Sequence, residues 1–215
     1  MSGKVNVWSK VGVAVQTVLA ATVAMASVTK ANPAVVGSVA HGYADGDIVL
    51  LQVEGMTQLN NRIARVDNKA TDTFELEGID STLYDTFTSG TAQKITFGAV
   101  ASTFTDVDAS GGEAADIDIG TIHEDEDRVI PGNKSALKYS FPGLWKPSDA
   151  ALLELVKASD AKTARAVQIT FATGDKVYFY AYPSATLAPI GSKGQAATTP
   201  ASFSVAGKLT VYAAA

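Results

Sequence analysis

Runs in which apolar and polar residues alternate recur along the whole 215-residue chain, and only one segment carries a helical period. A chain patterned this way folds as a mainly β protein whose strands each bury one face. In the run Ser135 to Phe141, Leu137, Tyr139 and Phe141 share one face and Lys138 and Ser140 the other; Pro142-Gly143 predicts its end. Val167, Ile169 and Phe171 alternate with Gln168 and Thr170, Gly174-Asp175 supplies a tight turn, and Val177 to Tyr182 returns as the second strand of a hairpin. On that strand Tyr178, Tyr180 and Tyr182 point one way, as sheet-packing surface or as anchors at an interface. A last strand is expected from Phe203 to Tyr212, with Val205, Leu209 and Val211 inward. The Pro-, Gly- and Ala-rich stretch 183–201 reads as one long loop, of a length usually disordered or functional.

The single helix follows Pro147, Ser148 and Asp149, which are start signals. Leu152, Leu155 and Val156 form its apolar stripe, and Lys157 and Lys162 suit the negative end of its dipole.

At the N-terminus, Lys4 and Lys10 precede an uncharged run from Val11 to Val28, and Ala24-Met25-Ala26 resembles a cleavage site, the outline of a secretory signal. Gln16, Thr17 and Thr22 interrupt that run, and Val11, Val13 and Val15 alternate, so one or two buried strands are the expectation. Asn32-Pro33 closes this part. Residues 34–97 read as a small all-β insert: Asp45-Gly46 and Glu54-Gly55 bracket a strand at Ile48 to Val53, with Ile63 to Val66 and Phe74 to Leu76 following. Turn signals at that spacing belong to small β-sandwiches and barrels. Residues 98–131 are acidic, from Asp106 and Asp108 to the run Glu124 to Asp127.

Composition narrows the function. Charged residues are 18 % of the chain and hydrophobic ones 47 %, against about 25 % charged in an average domain, so part of the surface is expected to be covered by partners. A net charge of -5 without a basic stripe argues against gripping nucleic acid. The absence of cysteine excludes disulfides and thiolate metal sites.

Catalytic and ligand motifs are missing. His41 and His123 lie far apart, no serine sits in a Gly-x-Ser-x-Gly elbow, and Gly207-Lys208 lacks the rest of a phosphate loop. Asp106 to Gly111 matches half of a calcium loop, but Ile117 stands where the bidentate glutamate belongs, so a polar turn is expected there. Glu124 to Asp127 has no apolar surroundings to raise a carboxyl pKa and reads as a solvated edge rather than an acid–base pair. No catalytic, cofactor-binding or metal-binding residue is assigned, no cofactor is expected, and the chain is read as not an enzyme.

Longer stretches resemble the tail tube proteins of lambda-like long-tailed phages. They are Ile119 to His123, the strand Ala136 to Phe141, the helix Asp149 to Leu155, the strand Arg165 to Phe171, the turn Gly174-Asp175 and the strand Val177 to Phe179. The segment His41 to Gly90 is similar to a small β module of phage tail proteins through His41-Gly42, Asp45-Gly46-Asp47, Gly55-Met56 and Phe74-Glu75-Leu76.

The resemblance implies a tail-tube-type β-sandwich or barrel with one flanking helix, formed by residues 1–33 and 98–215, with 34–97 as an insert on the tube exterior. It implies a virion protein, assembled in the host cytoplasm without a membrane. Six copies would form a ring whose sheets join into an inner β-barrel, closing their edges. Rings would stack helically into a hollow tube for DNA ejection. Tape measure, tail tip and tail terminator proteins would be its partners. Double-stranded DNA would pass without sequence-specific binding, and the acidic balance suits a lumen that repels it. Some relatives carry a further immunoglobulin-like domain; here the sequence runs to Ala215, directly after the last expected strand. Two other readings exist: a β-rich adhesion or decoration module using the tyrosine row to recognise a cell-surface or virion partner, and a secreted hydrolase using the acidic run.

Overall fold

A computed structural model describes residues 5–123 and 125–214. Lys4 of the signal outline and Glu124 of the acidic run lie outside the described residues. The protein is mainly β, with one α-helix and two sheets among the described residues. No described helix is long and apolar enough to cross a membrane. The N-terminal run forms three strands, β1 (Gly12–Leu19), β2 (Val23–Met25) and β3 (Ser27–Val28), and β4 (Ala34–Gly37) follows the proline. Val13 and Val15 are buried, as their alternation predicts.

The next strands are β5 (Ile48–Glu54), β6 (Arg62–Asp67), β7 (Thr73–Leu76) and the long β8 (Ser89–Ala101). Their pairings return on themselves. β8 pairs with β5, β5 with β6, β6 with β7, β7 with β4 and β4 with β3. β2, separated from β3 by Ala26 alone, pairs back with β8. The result is a small closed barrel filled by Met25, Val36, Leu51, Val66, Phe74 and Leu76, all buried. Its core thus draws on residues before position 34, and residue 97 falls in the middle of β8.

The far half of β8 pairs with β1, and the sheet continues through β13 (Arg165–Thr170), β14 (Lys176–Ala185), β15 (Thr198–Val205), β12 (Lys138–Leu144) and β9 (Asp108–Ser110). Helix α1 (Ala150–Asp160) lies on one face of this sheet. It buries Ala151, Leu152, Leu155 and Ala158 against a core that includes Val15, Phe141, Val167, Phe179 and Phe203. The start is fixed by Asp149, whose side chain accepts a hydrogen bond from the Leu152 N–H at 3.0 Å and two from Ser102, through its N–H at 2.9 Å and its hydroxyl at 2.8 Å. Burial pushes the Asp149 carboxyl up, but these hydrogen bonds outweigh it and hold its pKa below the ordinary value. Asp149→Ala is expected to cost about 1–3 kcal/mol, a lost cap plus an orphaned Ser102 N–H. Because the folded pKa is lowered, the carboxylate's contribution is complete above the unfolded value of about 4 and is lost as pH falls through the folded one. Thermal melts from pH 7 down to pH 2 should therefore converge for wild type and variant at the acid end.

A third cluster joins barrel to sheet. Leu50 and Ile63, on the outside of the barrel, meet Ala166, Tyr178 and Tyr212, the last from β16 (Thr210–Tyr212). The Arg65 guanidinium lies 4.5 Å above the Tyr212 ring and pairs with Glu77, while the Arg65 N–H donates to the Tyr212 hydroxyl at 2.7 Å. Burial pushes the Tyr212 phenol up to about 12. Beside it Gly207 presses on the barrel, where a Cβ would meet the Asn61 carbonyl oxygen at 2.3 Å.

Several expected strand bounds need correction. β12 begins at Lys138 and runs through Pro142-Gly143 rather than ending there. Pro142 stands opposite Pro200 on β15, and two residues without N–H groups can face each other at a non-hydrogen-bonded pair without losing a ladder bond. β14 and β15 take residues from both ends of the expected long loop, leaving 186–197 as the connection. That connection is tied down: the Trp145 indole N–H donates to the Leu187 carbonyl at 2.7 Å, and Ile190 bridges Thr198. The last strand is two strands, and the break at 206–209 changes the face, so that Thr210 and Tyr212 are buried and Val211 is 64 % exposed.

Candidate assembly surface

The acidic stretch holds an element the sequence did not suggest. β10 (Ala114–Asp118) and β11 (Val129–Lys134) form a separate two-stranded sheet. Ile117 pairs with Ile130, so both lie on one face, and Asp116 and Asp118 take the other. A Cβ on Gly132 would lie 3.0 Å from the Ile117 side chain, so glycine leaves that isoleucine its space. The base of the ribbon is anchored where the Ser135 N–H donates to the Glu113 carbonyl at 2.9 Å, and its far end where the Ile119 N–H donates to the Arg128 carbonyl at 2.8 Å. Ile117 is 49 % and Ile130 45 % exposed, and Ile119, Ile122 and Val129 are exposed as well. A solitary hairpin is marginal in water, and a cluster of bare isoleucines on one marks a surface that another protein covers.

The hairpin is followed in space by an open edge. β9 covers only Lys138 to Ser140 of β12, and no described strand pairs with the outer side of β9. Its exposed N–H and C=O groups are a template for a strand from another chain. The N-terminal segment adds a third contribution. Trp8 packs on Phe171 with ring centroids 5.2 Å apart. The Asn6 amide donates to Asp175 at 2.7 Å, and that hydrogen bond, with others from the Ala214 N–H and Thr173, holds the Asp175 carboxyl below its usual range. Val5, Val7 and much of Trp8 remain exposed beside a groove of about 220 Å³ lined by Val11, Phe104 and Val107.

The residues weighed for chemistry are not brought together. His41 is buried in the barrel, its Nε2 within 3.0 Å of the Ala70 carbonyl and its Nδ1 accepting from the Tyr43 N–H at 3.0 Å, against the Phe74 ring. His123 is exposed near the hairpin tip. Asp106 to Gly111 is not the expected polar turn: Asp108 to Ser110 are β9, and an extended strand does not wrap an ion. Among the described residues no group of three or more His, Cys, Asp or Glu could hold a metal ion. Asp125, Glu126 and Asp127 are exposed. The tyrosine row grades from Tyr178, 2 % exposed in the junction, to Tyr182, 53 % exposed, so it is not an open aromatic platform.

A β-rich body with a bare apolar ribbon and an unpaired sheet edge is built as a subunit of something larger. The profile of one family, described as phage tail tube protein (TTP), matches residues 54–214. That span is well over half of the 215 residues, and the chain belongs to this family. Membership makes it a structural component of the phage tail, a virion protein of a family that is not enzymatic in general and that implies self-assembly with other tail proteins. No curated protein matches the sequence.

Proposed function

We propose that six copies of this chain close into a ring and that the rings stack helically into the hollow tail tube of a lambda-like long-tailed phage, the conduit for DNA ejection. The observation that carries the reading is the β10–β11 hairpin, whose Ile117–Ile130 face is left about half exposed by the described residues. In the ring, the outer edge of β9 receives a strand of the next subunit, so that the sheets run on and leave no edge. The hairpin lays its isoleucines on a neighbouring subunit. Tape measure, tail tip and tail terminator proteins meet the tube inside and at its two ends, and assembly takes place in the host cytoplasm. The tube domain is formed by β1 and the chain from the far half of β8 onward, and 34–97, joined by β2 and β3 of the N-terminal run, forms a module on the outer wall. The adhesion reading loses one of its two motives, the tyrosine row, with Tyr178 buried, and keeps the β-rich insert as the other.

Native mass spectrometry of the purified protein tests the ring. A species of six times the chain mass, growing with concentration, is expected. A closed species of another number would replace the hexamer, and a chain that stays monomeric throughout would remove the reading.

A further inference from the structure

The part of the large sheet that reaches the open edge has two unlike faces. On one, Phe203, Phe141 and Ala201 are buried under α1. Among the described residues the other carries no second layer, and the register gives side chains on it in two rows across four strands. In the first, Ser184 stands opposite Ser202, Ser202 opposite Ser140, and Ser140 opposite Asp108. In the second, Tyr182, Ser204, Lys138 and Ser110 follow one another in the same way. All of these are exposed except Ser140, which is half-buried.

We infer that this face lines the bore of the tube and presents a hydroxyl surface of no net charge to the DNA; the inference rests on the ring proposed above. Protein interfaces are depleted in Ser and Lys and enriched in aromatic and apolar anchors, so rows of serine belong to a face that stays wet in the assembly. When a sheet is carried around a ring, the concave side has the least room and the convex side the most. Short serine side chains suit the concave side. A helix layer, about 10 Å thick, fits only on the convex one. The chemistry suits a passing polyanion. The one lysine, Lys138, is balanced by Asp108, so no cluster of cations is present to displace counterions and hold the phosphates. The serine hydroxyls keep a bound water layer between wall and phosphate. Asp116 and Asp118 belong to the β10–β11 hairpin and not to these rows, so this wall is neutral where the acidic balance suggests a repelling one.

The chain has no cysteine, so one introduced thiol reports on its surroundings without background. Ser202→Cys, with Ser184→Cys as a second variant, is assembled into tubes and treated with a small maleimide and with a maleimide coupled to a folded protein. Unassembled subunits should react with both. In tubes the thiol should keep its reaction with the small reagent and lose it with the large one. Reaction with both in tubes would put the face on the outer wall, and reaction with neither would bury it between subunits; each result overturns the inference. Failure of the unmodified chain to form tubes overturns instead the ring reading on which it rests.

Discussion

Tubes are expected to disappear when Ile117 and Ile130 are both replaced by aspartate, while the body of the protein stays folded. Both residues lie on the hairpin, outside the three clusters that make up the core, and both are already about half exposed. Placing a charge there removes little packing from the monomer, so its thermal midpoint should move by no more than about the shift expected for ~0.5 kcal/mol. In the assembly the same charges would be buried against a neighbour, at a cost of several kcal/mol for each unpaired carboxylate. Repeated around a ring, that cost exceeds what a weak contact supplies. Light scattering across a concentration series reads the assembly and circular dichroism the fold. Normal tube growth by the variant would show that the hairpin is not an assembly element.

The largest effect on the subunit itself is expected from Tyr212→Ala. The ring fills the junction between barrel and sheet, stacks under Arg65, and its hydroxyl accepts from the Arg65 N–H. Truncation opens a cavity, at about 3–5 kcal/mol for a large aromatic side chain, and leaves a buried N–H unpaired, at about 1–3 kcal/mol more. A loss of that size is comparable to the whole stability of many domains. Tyr212→Phe keeps the ring and loses only the acceptor, so its loss in denaturant titrations should be clearly smaller. Equal losses would mean that the ring does not hold the two halves together.

What was legible in the sequence was what local pattern decides. The helix was legible because Asp149 is a cap and Leu152 and Leu155 fall on one face; both are as expected, while Val156 of the expected stripe is only partly buried and Ala151 and Ala158 complete the buried face. β5, β6 and β7 were legible because apolar runs there sit between glycine turns. The strands read too short were those whose ends depend on a partner. Nothing local reveals that Pro142 stands opposite Pro200, so Pro142-Gly143 reads as a strand end and Pro200 as part of a loop, when both lie within strands. Val211 was placed on the wrong face because a break of four residues, which no turn signal announces strongly, reverses the alternation. The β10–β11 hairpin was hidden by its acidity: Asp116 and Asp118 made a strand look like a solvated loop, and the alternating Ile117 went unread. That element is also the one on which the proposed assembly contact rests, and among the described residues its apolar face stays half exposed.

The central claim is that this chain builds a tube. Negative-stain microscopy of the purified protein over a concentration series tests it most directly. Hollow tubes of constant diameter, or stacks of rings, are the expected images. Compact single particles at every concentration, unchanged when a tail tip complex is added to start growth, would contradict the account.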